Sequence, residues 1–135
     1  MTTELNRAHP NVALYCRLID AFNANDLTTV ATLFHPGLVY TVPGRSSIAG
    51  ETHGIDAHLD MLRSVRERSG GTLRLEPSAI AADGHYIFVY GRISVRREGR
   101  HFDSKHCVIF RFSEGRIVEG RTVPLDLYAF DAFWE

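Results

Sequence analysis

From residue 72 to residue 125 the chain alternates apolar and polar side chains through four segments, 72–82, 85–96, 101–112 and 116–125. Their separators are turn-like: Asp83-Gly84, Glu98-Gly99-Arg100 and Ser113-Glu114-Gly115. A parallel return needs a crossover of a dozen residues or more, so connections this short leave only an antiparallel meander. Strands of this length must twist and bend, and Pro77, Gly91 and Gly120 are the expected bulges or kinks.

Ahead of the meander the hydrophobic period changes. Residues 9–24 place Val12, Tyr15, Cys16, Ile19 and Phe22 on one helical face, with Pro10 near the start. Asn25-Asp26 offers an N-cap for a short second helix carrying Leu27, Val30, Leu33 and Phe34 inward, and His35-Pro36-Gly37 stops it. The string L-V-Y-T-V predicts a short strand that ends at Pro43-Gly44. Residues 43–54, with three glycines and a proline, predict a loop long enough to be a lid. A third helix is expected from Ile55 to Ser69, with Ile55, Leu59, Leu62 and Val65 on one face and Gly70-Gly71 beyond it. The fold class is therefore α+β: one domain over 1–135, a cone-shaped, curved antiparallel sheet wrapped around three N-terminal helices. Its natural cavity lies between the helices and the concave face.

Composition narrows the partners. A formal net charge of −1 argues against a nucleic-acid surface. The start M-T-T-E-L-N-R has no apolar core of a secretory leader, and no stretch reaches the length of a membrane span, so no membrane partner and a cytoplasmic location are expected. Cys16 and Cys107 fall in apolar-periodic segments and are expected to stay unpaired.

Several strings, in this order of elements, resemble the nuclear transport factor 2-like (cystatin-like) superfamily. They are A-F-N-A-N-D-L at 21–27, V-Y-T-V-P-G at 39–44, I-A-G-E-T-H-G at 48–54, F-R-F-S-E-G-R-I-V-E at 110–119 and D-L-Y-A-F-D-A-F-W at 126–134. Within it the chain resembles the SnoaL-like branch, related to polyketide cyclases and ketosteroid isomerases. The resemblance implies a ligand cavity in the cone and homodimers through the convex sheet face, where Glu119 and Arg121 lie with Ile109. It also brings out departures. The aspartate base of ketosteroid isomerases aligns with Thr41, and their carbonyl-polarising tyrosine falls near Leu18. The aspartate of the polyketide cyclases aligns with Thr122. Of the Asp-Arg-Asp set of epoxide hydrolases, Gly120-Arg121-Thr122 keeps the arginine and loses the first acid.

Strand alternation sorts the remaining candidates. Phe102, Ser104, His106, Val108, Phe110 and Phe112 share one face, expected to be the cavity wall, while His101, Asp103 and Lys105 share the other. H-F-D-S-K-H is therefore no metal motif, and His53 and His58, five apart, lack the i, i+4 spacing of helical ligand pairs. If the last strand stays extended, Asp126 follows Thr122 on the pocket side, where desolvation would suit it to acid–base work with His106 as partner. Asp126 also reads as the N-cap of a terminal helix packing Leu127, Phe130 and Trp134, and His106 as a buried imidazole held by a carbonyl. Tyr40 and Tyr90 are candidate hydrogen-bond donors; Phe110, Thr122, Trp134 and His53 complete the expected substrate contacts. The reading is a cofactor-free, metal-free acid–base enzyme (isomerase, cyclase or dehydratase) for a small hydrophobic, carbonyl-bearing substrate, polyketide- or terpenoid-like. A non-catalytic ligand-binding or interaction domain is its alternative, and an epoxide hydrolase the third.

Overall fold

The structure, a computed structural model, describes residues 8–135, so the leader reading of the first seven residues lies outside the described residues. The elements run α1 (Pro10–Asn23), α2 (Leu27–Thr32), β1 (Phe34–Val42), β2 (Gly50–His53), α3 (Ile55–Arg68), β3 (Arg74–Ala82), β4 (Tyr86–Arg97), β5 (Arg100–Ser113), β6 (Arg116–Pro124) and α4 (Leu127–Trp134).

Local chemistry sets most of the boundaries. Pro10 occupies the first turn of α1, where its missing N–H costs nothing, and His9 Nδ1 accepts the Asn11 N–H at 3.2 Å. The Asn23 side chain then clamps the end of α1 to β3, donating to Leu75 O at 3.0 Å and accepting from Leu75 N at 3.2 Å. Asp26 caps α2 through the Thr29 N–H at 3.1 Å. In the meander, Glu98-Gly99 and Glu114-Gly115 all have positive φ, as two-residue hairpins require when their twist matches that of the strands.

The sheet order is β2-β1-β6-β5-β4-β3. β3 to β6 form the antiparallel meander, as the turns predict. The sheet is not antiparallel throughout: β1 runs parallel to β6, with Tyr40 beside Gly120. Two further differences fall in the first half. The His35-Pro36-Gly37 segment belongs to β1, which begins at Phe34 and shifts register before Val39. The supposed loop contains β2, a four-residue edge strand paired to β1.

Only one of the three expected kinks is a bulge. The β3–β4 register shifts between Pro77 and Ala79. Gly91 faces that bulge, and a Cβ there would lie 2.5 Å from the Glu76 carbonyl oxygen. Gly120 serves packing instead, since a Cβ would lie 2.5 Å from the Tyr40 ring. Two apolar clusters fill the cone, one centred on α1 and β1, the other on Trp134, Phe133 and Phe102, and Tyr40 and Leu75 touch both. Among the described residues no helix is long and apolar enough to cross a membrane.

Candidate functional site

Between the two clusters lies a cavity of about 110 Å³. Its walls come from α1 (Tyr15, Leu18), β1 (Tyr40, Val42), α3 (His58, Met61), β5 (His106, Phe110), β6 (Thr122) and α4 (Phe130, Trp134), with further aliphatic side chains between them. None of the lining residues carries a carboxylate, an ammonium or a guanidinium. The polar atoms that face this space are thus few.

His106 sits on the inward face of β5, between Gly91 and Pro124 in the neighbouring strands, and is 3% exposed. Its Nδ1 is buried without a hydrogen-bond partner. His58 projects from the first turn of α3, is equally buried, and its Nδ1 is likewise unpartnered. Its ring meets Phe34 edge-on at 4.9 Å and lies 4.5 Å from the Tyr40 ring. Burial pushes both imidazoles down to about 4, because the apolar surroundings penalise the cation and no anion offsets that penalty. Both are neutral at physiological pH, with one ring nitrogen donating and the other accepting.

Tyr40 and Thr122 form the second polar pair, hydroxyl to hydroxyl at 2.6 Å. Burial raises the Tyr40 phenol above its ordinary range, against the opposing effect of that bond, and raises Tyr15 as well. Both phenols stay protonated. The third orphan is Trp134 Nε1, buried with no acceptor in a residue 1% exposed.

α4 closes this end of the cone, and its anchorage is polar. Arg97 donates to Phe133 O at 2.8 Å and Arg100 to Ala132 O at 2.9 Å, which satisfies carbonyls at the helix C-terminus with cations. Ser47 donates to Trp134 O at 2.5 Å and itself accepts from Arg68 at 2.7 Å. The Asp131 carboxylate accepts the Arg45 N–H at 3.0 Å, tying α4 to the residues before β2. Arg68 and Arg97 also lie over the Trp134 ring, at 5.6 and 6.0 Å from its centroid.

The sequence-predicted residues divide cleanly. His106, Tyr40, Phe110, Thr122 and Trp134 line the cavity. Asp126 does not: β6 ends at Pro124, the alternation stops there, and the exposed Asp126 carboxylate accepts the Ala129 N–H at 3.0 Å as the N-cap of α4. The pocket-side position expected for it is corrected, and the capping alternative describes it. Tyr90 is 42% exposed on the outer face, since Val89, Gly91 and Ile93 are the inward residues of β4. His53 stands at the exposed end of β2, 2.8 Å from Glu51, and touches no part of the cavity. Thr41 lies between Tyr40 and Val42, which with Phe34 are the cavity residues of β1, and does not line it.

His58 and Tyr15 are the cavity groups that sequence reasoning did not single out for chemistry. His58 is legible in one pattern: Ile55, His58, Leu62 and Val65 recur at i, i+3, i+7 and i+10, which puts the imidazole on the buried stripe of α3. Among the described residues no group of three His, Cys, Asp or Glu side chains is placed to hold a metal ion.

A family model described as "SnoaL-like domain" matches residues 16–120. An uncharacterised protein of Mycobacterium tuberculosis is 29% identical over 120 residues, covering 87% of this chain and 91% of its own length. Among solved structures, Bal32a from a soil-derived mobile gene cassette superposes with a TM-score of 0.91 at 31% identity, covering 96% of this chain and 100% of that one. A Xanthomonas campestris protein of unknown function with a cystatin-like fold gives 0.86 at 24% identity, covering 91% and 96%.

Proposed function

The chain belongs to the SnoaL-like domain family, and from that premise we propose that it is a proton-transfer enzyme acting on a small, hydrophobic, carbonyl-bearing molecule held in the cone. The observation that carries this reading is the pair of neutral imidazoles, His58 and His106, lining an apolar cavity with unpartnered Nδ1 atoms. A buried polar group left unpaired costs about 1–3 kcal/mol, and a ligand group that pairs with it recovers that cost.

Neutral imidazoles suit a particular kind of chemistry. A lone imidazolium is costly in this cavity, so one histidine cannot hold an abstracted proton without a compensating charge. Two histidines on different elements remove the difficulty. One accepts a proton from the carbon beside the carbonyl and becomes an imidazolium, while the N–H of the other holds the oxygen of the enolate that forms. The enolate is the compensating charge, so the cavity stays neutral overall. Tyr40, already bonded to Thr122, supplies a protonated hydroxyl for the same oxygen or its neighbour. Return of the proton from the imidazolium to the oxygen or to another carbon gives an enol or a shifted double bond, the common first step of isomerisations and cyclisations, and leaves both imidazoles neutral again.

The alternative is a domain that binds such a molecule without converting it. What favours it is that Thr41 and Thr122 stand at the positions aligned with known bases and that no carboxylate lines the cavity. The same lack of carboxylates leaves the epoxide-hydrolase reading without the pair of acids that would hold its water.

Exchange of α-hydrogens separates the two readings without knowledge of the natural substrate. With 2-cyclohexen-1-one in D₂O, followed by NMR, the protein should incorporate deuterium faster than buffer does. His58→Ala and His106→Ala should each slow this by roughly 10²- to 10⁴-fold with little change in affinity. Binding without any catalysed exchange would leave the non-catalytic reading in place.

A further inference from the structure

We propose that the cavity selects uncharged, single-ring ligands and that the indole Nε1–H of Trp134 is the donor that holds their hydrogen-bond acceptor. The proposal rests on the reading of this cavity as the ligand site and says which molecules enter it.

Size is the first argument. An engineered apolar cavity of about 150 Å³ takes up benzene, so the space of about 110 Å³ here suits one six-membered ring with small substituents. Fused-ring molecules would have to displace α4 or its anchors, and α4 packs Phe130, Phe133 and Trp134 into the second cluster. Charge is the second. No lining residue can neutralise a carboxylate or a phosphate. Arg68 and Arg97 lie over the indole ring of Trp134 and bond to Ser47 and to the last carbonyls of α4.

Hydrogen-bond inventory is the third. Among the described residues the buried side-chain polar atoms without partners are His58 Nδ1, His106 Nδ1 and Trp134 Nε1, and all three belong to cavity-lining residues. Three orphans scattered through a core would be defects; these three belong to side chains that line one cavity, where a small turn of each ring brings its N–H or ring nitrogen to a ligand. An indole nitrogen can only donate. An acceptor is therefore required of the ligand at the α4 end, whichever tautomers the histidines adopt. The ring is also fixed for this task, since Phe133 packs against it edge-on at 5.1 Å and two guanidiniums cover it.

The chain has one tryptophan, so its indole N–H gives a single, assignable NMR resonance. On titration with 2-cyclohexen-1-one that resonance should move downfield, whereas cyclohexene should bind without moving it comparably. In Trp134→Phe, affinity for the ketone should drop about tenfold while affinity for cyclohexene stays within about twofold. Benzoate and the fused-ring ketone 1-tetralone should bind at least tenfold more weakly than cyclohexenone to the unaltered protein. An indole resonance indifferent to the ketone, equal losses for both ligands, or benzoate or tetralone binding as well as cyclohexenone would overturn the proposal, as would failure of every ligand to bind. The resonance is read without any substitution, so a poorly folding variant does not blunt the test. Selective binding with no hydrogen exchange would sink the catalytic reading and leave this one standing.

Discussion

Gly120 is the residue on which the polar pair depends. It sits beside Tyr40 in the parallel β1–β6 ladder, and a Cβ there would lie 2.5 Å from the Tyr40 ring and 2.9 Å from Phe110. The missing side chain lets the tyrosine lie flat on β6 and reach Thr122. The histidines have a different consequence, visible in the pH dependence of stability. Both have a folded-state pKa of about 4, below the value of about 6.5 for an unfolded histidine. Between those limits the unfolded chain binds more protons, so stability is fully present above pH 6.5 and is lost as pH falls toward 4. The loss should reach a few kcal/mol (about 3 per histidine as an upper estimate). Urea midpoints measured from pH 7 to pH 4 should show this decline in the unaltered protein and a flatter one in His106→Leu. Asp26, Asp83 and Asp103, whose hydrogen bonds lower their pKa, act below this window.

At the scale of elements, α4 is where sequence and structure part most usefully. The string from Asp126 onward supports two geometries: a strand that carries the aspartate to the cavity, or a capped helix that carries it away. Pro124 decides, because β6 ends there, and the chain turns so that the Asp126 carboxylate meets the Ala129 N–H. Asp126→Ala should therefore cost about 1 kcal/mol of stability and leave hydrogen exchange on the ketone nearly unchanged. A thermal melt and the exchange assay check both halves; a hundredfold loss of exchange in a well-folded variant would return the aspartate to the chemistry. The two Glu-Gly hairpins were legible because such turns carry their geometry in the sequence. The Asp83-Gly84 connection was legible because an aspartate there can accept the His85 and Tyr86 N–H groups, as it does at 2.8 Å. β2 was not, since four mostly exposed residues that begin with Gly50 and stop before Gly54 have too little pattern to distinguish an edge strand from a loop. The spacing of His53 and His58 speaks against a helical metal pair, and the buried stripe of α3 is what places His58.

For the molecule as a whole, the cone and the inward face of β5 follow from periodicity, and the sheet order and the burial pattern of β5 agree with them. The cavity itself does not follow. Tyr15, Phe34 and Phe110 have the same apolar spacing whether their rings close a core or line a space, because packing across elements decides between the two. Sequence alternation gave His106 its face; only the assembled walls give His58, His106 and Trp134 a common one. What distinguishes this interior from a filled core is the space itself, with the three residues that carry unpartnered buried polar atoms among its lining.

The measurement that tests this most directly is the titration of the His58 and His106 imidazoles by ¹⁵N NMR between pH 3.5 and 8. Both should remain neutral down to about pH 4 and respond to cyclohexenone at pH 7. Titration near 6.5 with no response to the ketone would mean that the two rings stand in solvent, and the account of an apolar, ligand-seeking cavity would be wrong.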